Sequence, residues 1–460
     1  MPDRSNPVLT RLTRSDLHGG TKVPDPAGRT GPATPADYRH ETAGGGSPDR
    51  AGSRPSREGK VGTVTTTDLH VWRRDGYEFD PSAVASLPGD VYGDRAVHAQ
   101  ELRHIFSPLA GGLYLGHDEL LPRPGHRRAD GDQRIVLVSD GTRTNAVANV
   151  CTHACRPIVV DDEPATSPRL RCAYHDWSFR ADGTLIGGPG VRPTPEEQCR
   201  FGLPTFPLVT WHGLHFGVGP ERREAFEADL ARIDADMAER GIGDWLDLAG
   251  WTLDSSHDDP YDCDWKTFLD VFGDCYHVPP YHPGLASFAD CSTIEWTFGE
   301  AFHAQFVKLS AARGNRSPLY AAWADGLDRY YAARGEATPQ MAVAWVGIYP
   351  NLMFELYNGL RVISAVVPTG PESFVNRVHY FVPNDMEELV PGLPATMRAA
   401  YDETVIEDRD LVRSRGVGLR AADGLGLGRE FDRYRPVLDG LALEAGVAHF
   451  QGWWRRVMAG

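Results

Sequence analysis

Two short loops, each with one cysteine and one histidine, constrain this chain more than any other feature. The first loop reads Cys151-Thr-His153 and the second Cys172-Ala-Tyr-His175, with eighteen residues between His153 and Cys172. Each loop offers one thiolate and one imidazole, so each could bind two different metal atoms at once. A zinc finger usually pairs cysteine with cysteine and histidine with histidine around one ion. The mixed pairing therefore favours a centre with two metals.

Two interpretations of these four ligands remain open at this point. A Rieske [2Fe-2S] centre needs two cysteines on one iron and two histidines on the other. On that interpretation Cys151 and Cys172 bind the first iron, and His153 and His175 bind the second. A structural zinc site has the same ligand set, so the rest of the chain has to decide.

The bulk properties of the chain limit its class. Its 460 residues suffice for two or more domains, and 41% of them are hydrophobic, as in a globular protein. A net charge of −16 argues against nucleic acid as a partner but suits a cationic substrate or a basic electron donor. We find neither a membrane-spanning apolar run nor a signal-peptide pattern, so we expect a cytoplasmic protein without a membrane partner. The seven cysteines are irregularly spaced, and disulfides are not expected.

The first part of the chain divides into a tail, a lead-in segment and a small domain. Residues 1–65 are rich in Gly, Pro, Ser, Arg and Asp, and this composition predicts a disordered tail. Residues 66–94 form a lead-in segment. Within 95–219, a helical pattern precedes short strand patterns separated by Gly, Asp and Pro, and a hairpin turns at Asp182-Gly. This arrangement predicts a small all-β domain around the two loops.

The remaining residues, 220–460, predict a second domain of a different class. Residues 221–241 carry apolar side chains at helical spacing, which indicates a packed surface helix. Successive strand patterns follow between 343 and 382, with turns at Pro and Gly. We therefore expect an α+β fold in which helices flank an antiparallel sheet.

A second group of chemically active residues lies in this domain. On a helix, Asp270, Asp274 and His277 would share one face. His277 and His282 are five residues apart, but two prolines between them break the helix, so both imidazoles could meet at one point. Two histidines and one carboxylate, with positions left open, form the facial triad of non-haem Fe(II) oxygenases. The alternative is a solvated helix face with His282 in a loop.

The third ligand of such a triad is predicted from a stretch of acidic helix. Within 401–412 only one acid falls on the apolar stripe, which consists of Tyr401, Val405, Asp408 and Val412. An acid on a buried stripe needs a partner, and a metal would supply one. Asp408 is therefore the predicted ligand, with Glu407 as the alternative because helix boundaries are uncertain by a residue or two.

Taken together, these motifs resemble those of the Rieske non-haem iron oxygenases. The chain is similar to the oxygenase α subunit of that family, which includes aromatic-ring hydroxylases and the choline and glycine-betaine monooxygenases. The resemblance covers roughly residues 90 to 460. It rests on both Cys-His loops, Trp177, the Asp182-Gly turn, Trp265-Lys266, Asp274-x-Tyr276-His277-x4-His282 and Glu407-Asp408.

The resemblance implies a fold and a set of site residues. It implies a Rieske domain followed by a helix-grip catalytic domain similar to START folds. Two cofactors are implied, a [2Fe-2S] cluster on the two loops and a mononuclear Fe(II) on His277, His282 and Asp408. Asp274 would be a catalytic residue, connecting a cluster histidine, His175 by carry-over, to His277. Members commonly form trimers, so we expect a homotrimer or an α3β3 assembly with a small subunit.

The resemblance also implies an activity and redox partners. Electrons would come from NAD(P)H through a separate flavin reductase, a ferredoxin or both. The chain would then act as a mono- or dioxygenase that hydroxylates or oxidatively demethylates a small organic substrate with O2. Two alternatives are a Rieske electron-transfer protein and a zinc-stabilised START-like ligand-binding module. The substrate is not identified, although four strand aromatics could form a cage for a quaternary ammonium group: Trp345, Tyr349, Phe354 and Tyr357.

Three residues near the loops depart from the family pattern, and the first of them, Ala173, stands where relatives usually have proline. Asp176 stands where relatives usually have glycine, and we expect it to tolerate the left-handed backbone of that turn. Cys155 follows the first loop, where many relatives have Arg-Gly, and we interpret it as a free buried thiol.

Overall fold

The fold is described from a computed structural model, which covers residues 86–161, 163–427 and 443–459. The predicted tail at 1–65 lies outside the described residues, as does the lead-in segment up to residue 85. Among the described residues, none of the helices is both long and apolar enough to cross a bilayer.

The two Cys-His loops lie in a region of short antiparallel strands. The strands form three sheets, in the orders β2-β3-β4-β8, β1-β10-β9 and β5-β6-β7. Their bounds, with two helices, are α1 (Arg95–His104), β1 (Leu113–His117), β2 (Gly125–Arg128), β3 (Ile135–Ser139), β4 (Thr144–Ala148), β5 (Leu170–Arg171), β6 (Ser178–Phe179), β7 (Leu185–Gly187), α2 (Pro195–Arg200), β8 (Thr205–Phe206), β9 (Leu208–Trp211) and β10 (Leu214–Gly217). The small all-β region predicted around the loops is confirmed.

Strand β3 shows how this region supports the loops. Its side chains alternate between two cores, as the period of a strand requires. Val136 and Val138 pack in a cluster that contains Cys151 and Cys172, whereas Leu137 packs in a different cluster on the opposite face. The two cysteines are therefore held on an apolar floor.

The second half of the chain is a seven-stranded antiparallel sheet with helices on its faces. The strand order is β11-β17-β16-β15-β14-β13-β12, so β11 and β12 are the edges. The elements are α3 (Arg223–Glu239), β11 (Trp251–Tyr261), α4 (Lys266–Phe272), α5 (Val278–Tyr281), α6 (Pro283–Phe288), β12 (Ala289–Phe298), β13 (Phe302–Leu309), α7 (Pro318–Arg334), β14 (Met341–Ile348), β15 (Leu352–Tyr357), β16 (Leu360–Gly370), β17 (Ser373–Pro383), α8 (Met386–Leu389), α9 (Leu393–Gly424) and α10 (Ala445–Ala459). Short 3-10 helices span Gly89–Val91, Asp118–Leu120 and Gly243–Leu246. The predicted α+β class is confirmed.

The two faces of this sheet have different coverings. On one face, Phe354 and Ile363 pack in a cluster with Ile233 of α3. On the other face, Trp345 and Tyr357 pack in a cluster that includes residues of α6, α7 and α9. The long helix α9 thus lies over the second face. The candidate active site described below lies between this helix and the sheet.

Several elements were not predicted from the sequence, among them the strands β11, β12 and β13 and the helices α7 and α10. The edge strand β11 alternates between half-buried and exposed residues over much of its length and contains Asp258, Asp259 and Pro260, which have low strand propensity. Backbone pairing with β17, rather than local propensity, stabilises this strand. The strand therefore could not be recognised from the sequence.

Candidate active site

The two Cys-His loops present buried thiols and exposed imidazoles. Cys151 and Cys172 are each 2% exposed. The rings of His153 and His175 are exposed, with centroids 4.6 Å apart. Burial raises the pKa of the Cys151 thiol. Two inner sulfurs and two outer nitrogens match the unequal ligation of a Rieske cluster, in which each iron has one kind of ligand.

Both loops turn in the same way. The fourth residue after each cysteine has a left-handed backbone, with φ 55° at Cys155 and 58° at Asp176. The N–H of each donates to the carbonyl of its cysteine, at 2.9 Å and 3.0 Å. The predicted tolerance of Asp176 for this conformation is confirmed, and its carboxylate lies 2.8 Å from Arg171. The prediction that Cys155 is buried was wrong: its thiol is free but exposed, because the turn directs it outward.

The predicted iron ligands come together in the second domain. His282 Nε2 lies 3.0 Å from Asp408 Oδ1, and His277 Nε2 lies 3.4 Å from the same oxygen. One ligand atom from each of the three lies within 4.8 Å of the others. The two imidazoles approach with centroids 5.1 Å apart.

The chain reaches this geometry by a different route from the predicted one. The helix expected to carry Asp270, Asp274 and His277 ends at Phe272, so these residues do not share a helix face. The two prolines lie inside the short helix α5, where the missing N–H of an early position costs nothing. The chain leaves helical geometry at His282 itself, with φ −115° and ψ 75°. That departure, rather than the prolines, separates α5 from α6.

Each histidine of the triad has a second carboxylate behind it. Asp274 Oδ2 lies 3.2 Å from His277 Nδ1, and Glu407 Oε2 lies 2.7 Å from His282 Nδ1. Asp274 is itself held by the N–H groups of Tyr276 and His277, at 2.6 Å and 3.3 Å. Carboxylates in this position fix the tautomer and orientation of a metal-binding imidazole. Glu407, the alternative ligand, therefore lies on the far side of His282 from Asp408.

Asp270 belongs to a different network. It is 2% exposed and accepts from the Tyr92 hydroxyl at 2.6 Å and from the Gln451 amide at 2.9 Å. Arg415 forms an ion pair with it. The structure assigns Asp270 to packing between helices rather than to the triad.

The electrostatics of the triad suit a divalent cation. Burial lowers the pKa of His277, but the carboxylates of Asp274 and Asp408 outweigh it and raise that pKa to about 9. Burial raises the pKa of Asp408, yet the two imidazoles bring it below its usual value. The three groups therefore attract positive charge, and two histidines with one carboxylate are the donor set of a non-haem iron site with open positions. The residues fit a mononuclear iron.

A second group with the same donors does not fit a metal. His117, Asp130 and His379 are buried together, with His117 Nε2 2.9 Å from His379 Nδ1. Asp130 already has two guanidinium partners, Arg127 at 2.8 Å and Arg377 at 3.2 Å. Burial lowers the pKa of His379 to about 4. A metal ion would add charge beside two arginines, so this group is a structural connection between β1 and β17.

A small cavity of about 90 Å³ lies beside the triad, between α9 and the sheet. His277, His282 and Asp408 are in its wall. Of the four aromatic residues predicted for a cage, Trp345 and Tyr357 line it. Tyr349 and Phe354 do not, because they pack in two other cores.

The cavity contains one acidic residue that the sequence interpretation missed. Glu355, on β15, is 7% exposed and accepts from the Tyr401 hydroxyl at 2.7 Å. Burial, with Asp408 nearby, raises the pKa of Glu355 to about 8. An acid inside the apolar stretch Leu352–Tyr357 was a visible signal of the same kind that identified Asp408.

The comparisons with known proteins agree with this arrangement. A family model described as the Rieske [2Fe-2S] domain matches residues 114–207, and one described as the ring hydroxylating alpha subunit (catalytic domain) matches residues 242–460. Curated relatives include putrescine 2-hydroxylase of Ralstonia nicotianae, 32% identical over 81% of this chain and 95% of the relative. The choline monooxygenase of Amaranthus tricolor is 25% identical over 86% of this chain and 83% of the relative.

Solved structures share the fold. A quaternary ammonium Rieske monooxygenase matches with a TM-score of 0.62 and 19% identity, covering 82% of this chain and 96% of the other. Naphthalene 1,2-dioxygenase from Rhodococcus sp. matches with a TM-score of 0.60 and 16% identity, covering 81% and 94%.

The chain belongs to the Rieske non-haem iron oxygenases, as an oxygenase α subunit. It is an O2-dependent oxidoreductase whose cofactors are a [2Fe-2S] Rieske cluster and a mononuclear iron. Oxygenases of this family take electrons from a reductase or ferredoxin partner, form oligomers, and hydroxylate or demethylate small substrates. The electron-carrier and zinc-module alternatives are not supported.

Proposed function

We propose that this chain is the oxygenase component of a monooxygenase that hydroxylates a carbon of a small aliphatic amine, with putrescine as the first candidate. The observation that carries the proposal is the convergence of His277, His282 and Asp408 on the wall of a cavity that also contains a buried carboxylate. Two relatives above 30% identity carry the name putrescine 2-hydroxylase. The net charge of −16 also favours a cationic substrate over an anionic one.

The size of the cavity supports a small substrate. Its volume is about 90 Å³, below the roughly 150 Å³ of an engineered cavity that binds benzene. A fused ring system is larger than benzene and does not fit such a space. The substrate would lie between the triad and the aromatic side chains of Trp345 and Tyr357, which exclude water.

The roles of the chain's own residues follow from their positions. Cys151, Cys172, His153 and His175 hold the cluster. His277, His282 and Asp408 hold the iron, which when bound supplies the O2 chemistry with electrons from the cluster. The three protein ligands leave the cavity side of the triad open for substrate and O2.

Asp274 is the proposed connection between the two centres. Its Oδ2 faces His277 Nδ1 and its side chain is 20% exposed, so its outer edge can meet another subunit. We propose that it contacts His175 of the partner subunit and carries electrons and protons to the iron site. The exposed ring of Tyr276 beside it suits a subunit contact.

The organisation of the whole protein completes the proposal. We propose a Rieske domain at 95–219 and a catalytic domain at 220–460, and the family-model matches at 114–207 and 242–460 support this division. We propose a cytoplasmic homotrimer, or an α3β3 assembly, that receives electrons from NAD(P)H through a flavin reductase with or without a ferredoxin.

The test is turnover of the reconstituted enzyme under ¹⁸O2 with a surrogate reductase. We expect three irons per chain and one ¹⁸O atom in hydroxylated putrescine, detected by mass spectrometry. His282→Ala should lose the product and one iron while keeping the visible spectrum of the cluster. Product formation at the normal rate by His282→Ala, or no oxygenation of any amine by the wild type, would contradict the proposal.

Asp274→Asn tests the connection between centres. The amide keeps the shape but loses the charge behind His277, so both metals should remain bound while product formation falls by about 10- to 100-fold. Rapid-mixing spectroscopy should show a reduced cluster that no longer reoxidises with substrate and O2. Asp290→Asn, a partly exposed carboxylate on β12, is the control that should turn over normally.

A further inference from the structure

We infer that Glu355, Ser364 and Asn376 form the binding site for a primary ammonium group, so that the cavity selects a linear alkylamine with N–H donors over a quaternary ammonium compound. This inference rests on the proposed function, because it concerns how the same cavity recognises its substrate. None of these three residues was singled out by the sequence motifs.

The register of the sheet places the three side chains together. Glu355 on β15 pairs with Val362 on β16, and Ser364 lies two residues farther along that strand. Ser364 in turn pairs with Val378 on β17, two residues from Asn376. Because strand side chains alternate with a period of two, all three project from one face. They line the cavity as a diagonal row across three strands.

Within the described ranges, the row offers one amide oxygen without a donor and one carboxyl group without a cationic partner. Asn376 is 5% exposed, and its Oδ1 has no hydrogen-bond partner among the described residues. Glu355 is reached by hydroxyl groups, from Tyr401 at 2.7 Å and Ser364 at 3.5 Å. Within the described part of the chain, no lysine, arginine or histidine forms a salt bridge with Glu355. Glu355 therefore lacks a cationic partner there, and a cation bound in the cavity would supply one and favour its ionised form.

The kind of cation follows from the number of donors. A primary ammonium group carries three N–H donors, which match the carboxylate, the amide oxygen and the hydroxyl oxygen of the row. A quaternary ammonium group carries none and would bury these acceptors unpaired. A site built to hydrogen-bond a substrate group rejects an analogue without that group strongly.

The aromatic residues of the cavity do not make this distinction. Trp345 and Tyr357 can interact with either kind of cation through their rings. Trp345 Nε1–H donates to the Tyr357 hydroxyl at 2.9 Å, which orients that hydroxyl beside Glu355. The aromatic residues therefore favour positive charge, and the row of acceptors decides which ammonium group is bound.

The row and the triad lie on the wall of the same cavity. Tyr401, which donates to Glu355, is about two helical turns from the ligand Asp408 on α9. An ammonium group bound to the row would therefore leave the rest of a short chain in the cavity beside the triad.

The test uses the holoenzyme with 1,4-diaminobutane and a derivative trimethylated at both nitrogens, which has no N–H donor (the trimethyl derivative). In the wild type, kcat/KM should favour the diamine by about 100-fold or more. Glu355→Gln keeps the shape of the side chain, so iron content and the cluster spectrum should be unchanged. We expect this variant to lose most of that preference through a higher KM for the diamine. Glu372→Gln, an exposed acid at the β16–β17 turn, is the matched control and should behave as the wild type.

A second variant separates recognition from folding. Asn376→Leu removes the unpaired acceptor and keeps the branched shape of the side chain, so it should raise KM for the diamine and leave kcat/KM for the trimethyl derivative within about threefold. A diamine KM unchanged in both variants would overturn the inference, as would a wild-type preference for the trimethyl derivative.

Calorimetric titration of 1,4-diaminobutane into the oxidised holoenzyme distinguishes this inference from the proposed function. Binding that requires Glu355, without any oxygenated product, supports the ammonium site and contradicts the proposed reaction. If the Glu355 and Asn376 variants oxygenate the diamine as the wild type does, the proposed reaction is supported and the ammonium site is contradicted.

Discussion

At the scale of single residues, the neighbouring side chains decide what each carboxylate around the triad does. Asp408 lies between two imidazoles, Glu407 lies behind one of them, and Glu355 lies under hydroxyl groups in the cavity. Asp408 and Glu407 are adjacent in sequence, but one faces the iron site and the other holds His282 from behind. The helical stripe predicted Asp408, whereas the role of Glu407 required the position of His282.

Glu407→Gln should weaken iron binding. The amide cannot hold His282 Nδ1 as the carboxylate does at 2.7 Å, and the loss of such a partner typically costs about 10- to 100-fold in metal affinity. Competition with a chelator measures the change. Asp410→Asn, an exposed acid on the same helix, is the control. Equal iron affinity in the two variants would show that Glu407 does not position His282.

Glu355 should make the metal-free protein sensitive to alkaline pH. Its pKa in the folded state is raised from 4.5 to about 8, mainly by burial. For a carboxyl with a raised pKa, the stabilising contribution is present below pH 4.5 and is lost as the pH rises toward 8. Glu355→Gln does not ionise, so its Tm should exceed that of the wild type by more at pH 9 than at pH 5. A constant difference between the two melting curves would argue against a raised pKa.

At the scale of elements, helix α9 connects the sheet, the cavity and the triad. Its apolar stripe was predicted from spacing alone, and Tyr401 and Val412 are buried. The helix near His277 was predicted to run too far, because spacing does not show that α4 ends at Phe272. The edge strand β11 was missed because its stability comes from pairing with β17 rather than from its own residues.

Two glycines of α9 should respond in opposite ways to alanine. A Cβ at Gly416 would lie 2.5 Å from Cys263 Cβ, whereas Gly418 has open space around it. Gly418→Ala should stabilise the protein by up to about 1 kcal/mol through helix propensity. Gly416→Ala should destabilise it by about 1–3 kcal/mol, because α9 must shift away from its neighbour. Denaturant unfolding compares them, and similar effects would contradict this contact.

At the scale of the whole molecule, a buried ionic network joins helices that are far apart in sequence. Glu101 on α1 accepts from Lys266 Nζ at 2.7 Å, from Trp265 Nε1 at 2.9 Å and from Trp454 Nε1 at 2.8 Å. Lys266 also donates to Asp264 at 2.8 Å. Helix α1 before the Rieske strands is thereby anchored to α4 and α10 of the catalytic domain.

The network predicts an unequal response to two substitutions. Lys266→Met would leave two buried carboxylates without a cation and should cost about 3–5 kcal/mol. Glu101→Gln should cost less, because Lys266 retains Asp264 as its partner. Thermal unfolding of the two variants measures the order. A lower Tm for Glu101→Gln than for Lys266→Met would show that Lys266 is not what stabilises the two buried carboxylates.

The sequence by itself determined the two metal centres, the order of the two domains and the identity of the iron ligands as candidates. These features depend on residue type and on local spacing, and the periods of strands and helices make that spacing interpretable. Only the tertiary structure decided the rest. It showed that Asp270 packs elsewhere, that Glu407 lies behind His282, and that Glu355 and Asn376 meet in one cavity. Those roles depend on which strands pair and which faces meet, and contacts between residues distant in sequence leave no local pattern.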